Sequence, residues 1–254
     1  MGLQDTQSGR GEDRGIAASL QILKGKQKTS KGASAYVRFF NRPFGRVLAA
    51  VAHRLGLTPN VVTAISALAT FGGLAVLAFS PVTPVTGLLV AVLLILGYAF
   101  DSADGQLARL RGGGSFAGEW LDHVVDAAKM SLFHLVVLFA WARTGTESGL
   151  WLALPGAYAF LAAFFFCTIM LTDQLRRAHR GSSGMRLAGE GSSSVLYSLA
   201  VLPTEYGVLA CVFVLWGWPA LFHWVYLALF VCNVLFLCLA LPKWYRELSG
   251  FGRT

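Results

Sequence analysis

Charge is what this chain has least of. Only 13% of its 254 residues are Asp, Glu, Lys or Arg, against 55% hydrophobic, and its mean hydropathy is +0.58. Soluble domains carry about a quarter charged residues, so this composition excludes an ordinary soluble domain and points to a membrane protein. Paired cysteines are missing as well. Cys167, Cys211, Cys232 and Cys238 sit inside apolar runs with no CxxC spacing and no histidine at a zinc-ligand interval, which leaves redox and zinc chemistry unsupported. His53, His123, His134, His179 and His223 form no ligand set. The first 32 residues, rich in Gly, Ser, Gln and Lys, contain no apolar signal core and are expected to form a disordered cytoplasmic tail, residues 1–32. Acids are fewer than bases, 13 against 21, but the excess lies around apolar runs rather than along one stripe, so no nucleic-acid partner is expected.

Long apolar runs are plentiful. A helix needs roughly 20 mostly apolar residues to cross a bilayer. Six segments meet that standard: Val61–Phe79, Val85–Leu107, Leu121–Ala142, Leu150–Leu171, Val195–Leu215 and Ala220–Leu241. All the Lys and Arg except Lys129 and Arg143 fall on one side of this arrangement, which the positive-inside rule makes cytoplasmic. Both termini lie on that side. Ahead of the first span, Val37, Phe40, Phe44, Val47 and Val51 share one helical stripe, while Arg38, Arg42 and Arg46 share another. That pattern predicts an amphipathic interfacial helix over residues 33–56, kinked or restarted at Pro43. The expected fold is therefore an all-α integral membrane protein with six transmembrane helices and an N-terminal amphipathic juxtamembrane helix. The membrane-spanning catalytic domain covers residues 57–245, and a cytoplasmic tail covers residues 246–254.

Against this background the acids of "FDSADGQLARLRGGGSFAGEWLDHVVD" stand out. Asp101, Asp104, Gly105 and Ala108 recur at i, i+3, i+4 and i+7 and so share a helix face. Gly118, Asp122 and Asp126 recur at i, i+4 and i+8 on the next helix, across the short "RGGGS" turn that makes the two antiparallel neighbours. Four carboxylates then converge at the cytoplasmic rim. Such a group repels itself unless protonated or neutralised, and all-oxygen ligation suits Mg²⁺, Mn²⁺ or Ca²⁺. The small residues leave room against the backbone, and Arg109 offers an anion-binding fork. Acids, gaps and an arginine together suggest a metal-bridged diphosphate.

These residues follow the pattern D-x2-D-G-x2-A-R-x8-G-x3-D-x3-D at every fixed position, and the chain thereby resembles the CDP-alcohol phosphotransferase (CDP-alcohol phosphatidyltransferase) family. "RGGGS" is similar to the same loop of phosphatidylinositol-phosphate synthases. The resemblance implies that Asp101, Asp104, Asp122 and Asp126 bind Mg²⁺ (or Mn²⁺), as two ions, and that Asp126 is the general base. It implies a CDP-donor site of Gly105, Ala108, Arg109, Ser115 and Gly118, with Asn60 and Thr63 from "LTPNVVT". The reaction it implies moves a phosphatidyl or other phosphoalcohol group from CDP-diacylglycerol, or another CDP-alcohol, to a hydroxyl acceptor. CMP is released, within phospholipid biosynthesis in the cytoplasmic membrane, and a homodimer is the implied assembly.

The acceptor is less legible. A polyol or phosphopolyol is expected, with Lys129, Arg176, Arg177 and Arg180 as candidate ligands and Arg186 in the same basic stretch. "QLRRAHRGSSGMR" departs from the acceptor pattern of the inositol-phosphate-using members, and basic loops also serve as positive-inside anchors. Glu205, behind Pro203 in the fifth span, either lines a polar cavity or sits at an interface. The alternative function is a cation or proton transporter using intramembrane carboxylates, but transporter sites lie near the midplane, between repeats. Here the acids are at one face and no repeat is visible.

Overall fold

A computed structural model describes residues 15–25, 33–145, 147–180 and 195–251. Among them the chain is helical throughout, running α1 (Ile16–Gly25), a π-helical turn (Val37–Asn41), α2 (Arg42–Arg54), α3 (Pro59–Phe79), α4 (Pro84–Leu110) and α5 (Phe116–Thr144). It continues through α6 (Leu150–Arg180), α7 (Val195–Ala200), α8 (Tyr206–Val212) and α9 (Pro219–Ser249). Of these described helices α3, α4, α5, α6 and α9 are long and apolar enough to cross a membrane. Their starts are set by local chemistry. Thr58, Thr83 and Ser115 each sit in extended backbone and accept, through the side-chain oxygen, an N–H of the first turn of α3, α4 and α5. Pro59, Pro84 and Pro219 occupy the first helical position, where no N–H is needed.

Ion pairs show which helix ends meet. Arg176, late in α6, pairs with Glu247 late in α9, while Arg177 pairs with Glu119 in the first turn of α5. The acids of α4 and α5 share that end. At the other end Arg143 of α5 donates to the carbonyls of Ala78 (2.7 Å) and Ser80 (2.6 Å), where the dipole of α3 leaves acceptors unmatched. The core between α4, α5, α8 and α9 is aromatic, built on Phe133, Trp141, Phe213, Trp216, Phe222 and Tyr226. Where α3 crosses α4, Gly97 allows contact that a methyl group would obstruct against Thr70 Oγ1, and Ser66 donates to the Gly97 carbonyl at 2.8 Å.

The structure departs from the sequence expectations in three places. Residues Ile16–Gly25, inside the expected disordered tail, form α1, whose Leu23 is wholly buried against Ala49, Ala52, Ala103 and Leu107. An apolar side chain every few residues was enough to dock this short helix on α2 and α4. At Pro43 a π-helical turn gives way to α2, which begins at Arg42 and carries Pro43 in its first turn. The Arg42 N–H reaches back five residues to the Val37 carbonyl, a π-turn next to a proline that lacks its own donor. Phe40, Phe44, Val47 and Val51 form the outward apolar stripe. The final helix runs to Ser249, past the start of the tail expected at residue 246.

The fifth span is the largest departure. Instead of a continuous helix over Val195–Leu215, two segments, Tyr197–Thr204 and Tyr206–Gly217, meet at 57°. Pro203 has no N–H to continue the ladder, Leu202–Thr204 tightens to a 3₁₀ turn, and Glu205 is extended at φ −87°, ψ 129°. Asn233 of α9 donates to the exposed Pro203 carbonyl at 3.1 Å, compensating one of the broken bonds.

Candidate active site

The acid-bearing turns are brought together by a tight reversal. Gly112 and Gly113 adopt φ of 93° and 135°, a region that side chains resist. The Gly113 N–H closes on the Ala108 carbonyl at 2.9 Å, and Arg111 Nη2 donates to the Gly56 carbonyl at 2.8 Å, tying the turn to the α2–α3 link. With α4 and α5 so joined, oxygens of Asp101, Asp122 and Asp126 lie within 4.8 Å of one another. Ligand oxygens around Mg²⁺ at roughly 2.1 Å are at most roughly 4.2 Å apart, so small side-chain adjustments would close this trio on a cation. The donor set fits a hard divalent ion.

Asp104 is held differently. Its buried carboxylate accepts from Thr63 Oγ1 at 2.6 Å and from the Gly105 N–H at 2.5 Å, which turns it toward α3 and out of the trio while leaving it within Coulombic range of Asp101 and Asp122. Thr63 is thus beside an acid, as a donor. Asn60, one turn earlier on α3, overlies Gly118: a methyl group there would come within 3.1 Å of both Asn60 Oδ1 and Ser115 Oγ. Ser115 Oγ accepts from the Gly118 N–H at 3.0 Å, so the sequence-predicted Asn60, Ser115 and Gly118 do gather at one point, with the hydroxyl serving as helix cap. Gly105 opens onto space, a hypothetical side chain meeting only Arg109 Nη1 at 3.7 Å. Ala108 flanks Gly114 across the turn, and Arg109 stands within Coulombic reach of Asp104 and Arg42.

Three of the candidate acceptor cations, Lys129, Arg176 and Arg177, are found beside carboxylates. Lys129, 4% exposed, lies one turn beyond Asp126 and donates to Asp101 Oδ1 at 2.5 Å, Asp126 Oδ1 at 3.1 Å and Ser66 Oγ at 3.1 Å. Arg176 makes a two-pronged pair with Glu247 (2.6 and 3.1 Å), and Arg177 joins Glu119 and, at 2.9 Å, Asp173. The side chain of Arg180 and the whole of Arg186 lie outside the described residues.

From Asp101 and Asp126 a cavity of about 50 Å³ leads inward past Thr70, Tyr98, Lys129 and Tyr206. None of Ser66, Thr70, Tyr98 and Tyr206 stands out in the sequence by itself. A signal for the first two was present, because Thr63, Ser66 and Thr70 recur at i, i+3 and i+7 as a polar stripe on an otherwise apolar helix. Tyr98 precedes Asp101 by three and shares its face. Tyr206 carried no such signal.

The sequence model of the CDP-alcohol phosphatidyltransferase family matches residues 56–238, a stretch that holds every acid of the site. No curated protein matches the chain.

Proposed function

The chain belongs to the CDP-alcohol phosphatidyltransferase family, a family of transferases that move a phosphoalcohol from a CDP-alcohol to an alcohol, and from that premise we propose a mechanism on the α4–α5 carboxylates. The observation that supports it most is the convergence of Asp101, Asp122 and Asp126 beside a cavity. The donor is CDP-diacylglycerol or another CDP-alcohol, its diphosphate over Gly105 and Ala108 and its nucleotide toward Asn60, Ser115 and Gly118. Arg109 holds a phosphate oxygen. Asp101, Asp122 and Asp126, with Asp104 beside them, would hold Mg²⁺ or Mn²⁺, as two ions. What bound metal supplies is neutralisation of the diphosphate and of the charge that grows on its leaving oxygen.

Asp126 takes the proton of the acceptor hydroxyl. The freed oxygen attacks the β-phosphorus, a new P–O bond forms, and the bond to the CMP oxygen breaks. CMP leaves with the bonding pair and the product is a phosphodiester. Lys129 keeps Asp101 and Asp126 close together and offsets their repulsion. The site faces the cytoplasm on this reading, as the basic residues gathered at the same end require, and a homodimer is taken over from the family resemblance. The transporter alternative loses its ground, because the acids lie at helix ends within a family of transferases.

The test is CMP release from CDP-diacylglycerol by purified protein. We expect it to require Mg²⁺ or Mn²⁺, to vanish on chelation, and to fall about 10²–10⁴-fold in Asp126→Asn. Equal rates in Asp126→Asn remove that residue as base. No CMP from any CDP-alcohol with any alcohol removes the enzyme reading.

A further inference from the structure

The juxtamembrane helix is pressed against the acid-bearing half of α4. A methyl group on Gly45 would come within 2.8 Å of Ser102 Oγ and 3.1 Å of Gln106 Nε2, so glycine is what lets the two helices meet there. Gln106, 2% exposed, donates to the Arg42 carbonyl at 3.1 Å and to Ser102 Oγ at 3.3 Å, which fastens the start of α2 at that level. Earlier in the chain, Tyr36 stacks on Tyr98 at 6.1 Å. Tyr98, Ser102, Gly105 and Arg109 recur at i, i+4, i+7 and i+11 and so form one stripe of α4. The juxtamembrane segment runs beside that stripe, and Arg42 enters between its two ends.

The Arg42 side chain is half-buried, within Coulombic range of Tyr98 at one end of the stripe and of Arg109 at the other. Arg109 folds back over Gly105, its Nη1 3.7 Å from where a Cβ would stand. Burial is the largest influence on Arg42 and lowers its pKa, yet a guanidinium stays charged at physiological pH. Two cations are thus held near one glycine, repelling each other. An anion between them offsets that repulsion, and two planar forks match the oxygens of a phosphate. Arg38, one turn before Arg42, has an anchor's placement instead, its guanidinium 5.2 Å from the ring of the exposed Phe39. The inference rests on the donor reading, with the nucleotide toward Asn60, Ser115 and Gly118 and the diphosphate over Ala108 and Gly105. Running on from Ala108 to Gly105, the phosphates head toward Tyr98, which brings the β-phosphate nearer Arg42. We infer that Arg42 is a second phosphate-binding residue, which with Arg109 grips the β-phosphoryl oxygens of the donor. The amphipathic helix then supplies part of the site as well as an anchor.

The experiment titrates CDP and CMP into purified protein with Mg²⁺ by calorimetry, since the two nucleotides differ only in the β-phosphate. We expect Arg42→Gln to weaken CDP about tenfold, the worth of one hydrogen bond to a charged group, with CMP nearly unchanged. Arg42→Lys, which keeps the charge and loses the fork, should recover part of the CDP affinity. Arg38→Gln removes the same charge from the same segment and should leave both affinities as they were, in protein whose size-exclusion profile matches the wild type. Undiminished CDP binding in Arg42→Gln overturns the proposal and leaves the donor reading intact. Equal losses of CDP and CMP in that variant also overturn it, because the damage is then to the site as a whole. An equal loss of CDP in Arg38→Gln overturns it too, by assigning the effect to the general field of the helix. Wild-type protein that binds neither nucleotide removes the donor reading along with the proposal.

Discussion

Two regions of this molecule put carboxylates where a membrane protein can least support them, and they do so by opposite means. At the α4–α5 end, acids ride on two unbroken helices, and helical period alone aligns them. At the α7–α8 bend, Glu205 stands in extended backbone between two short helices and is satisfied by a tyrosine from a different span. The first arrangement gathers charge so tightly that a cation must answer it. The second isolates one charge and answers it with a hydroxyl. Regular helix concentrates like groups by repetition, whereas a break releases one residue to find a partner elsewhere.

The contrast can be pressed hardest at Lys129. Replacement by Met leaves Asp101 and Asp126 without their counter-charge, and breaking such a buried pair costs about 3–5 kcal/mol. Thermal unfolding in detergent should show that loss, and saturating Mg²⁺ should recover part of it by binding the folded form. A loss independent of Mg²⁺ would mean that ammonium and metal do not share these carboxylates. At the bend, Gly207→Ala should cost about 2 kcal/mol, since the added methyl overlaps the Tyr36 ring that supports Tyr98. Its stability should be indifferent to Mg²⁺, which separates the two regions. The smallest effect is expected at Asn233→Ala, about 1 kcal/mol, from the lost bond to the Pro203 carbonyl. Hydrogen exchange should localise that change to residues around 201–209, leaving α4 and α5 protected as before.

Much of the α4–α5 end is legible in the sequence because its information is local. Asp101 with Asp104, and Asp122 with Asp126, are separated by one helical turn, and the glycine turn between them dictates antiparallel packing. Thr58, Thr83 and Ser115 announce their helices by capping chemistry in the same way. The break in the fifth span is not legible, because hydropathy measures transfer into lipid and says nothing about a missing N–H. Pro203 is visible, but the carbonyl it exposes is satisfied from α9, thirty positions away. The partners of the candidate acceptor cations are hidden for a related reason. A sequence shows a charge but not the partner that neutralises it, and Glu247 lies 71 positions from Arg176.

The sequence by itself determined the class of the protein, the chain's apolar spans, and the faces on which the acids lie, since all three follow from composition and a period of 3.6 residues. Only the tertiary structure decided what those acids do with one another. It turned Asp104 to Thr63, filled the three donors of Lys129, and set Tyr98 against Glu205, 107 positions apart. Such contacts depend on how whole helices pack, and packing joins residues that no local period relates.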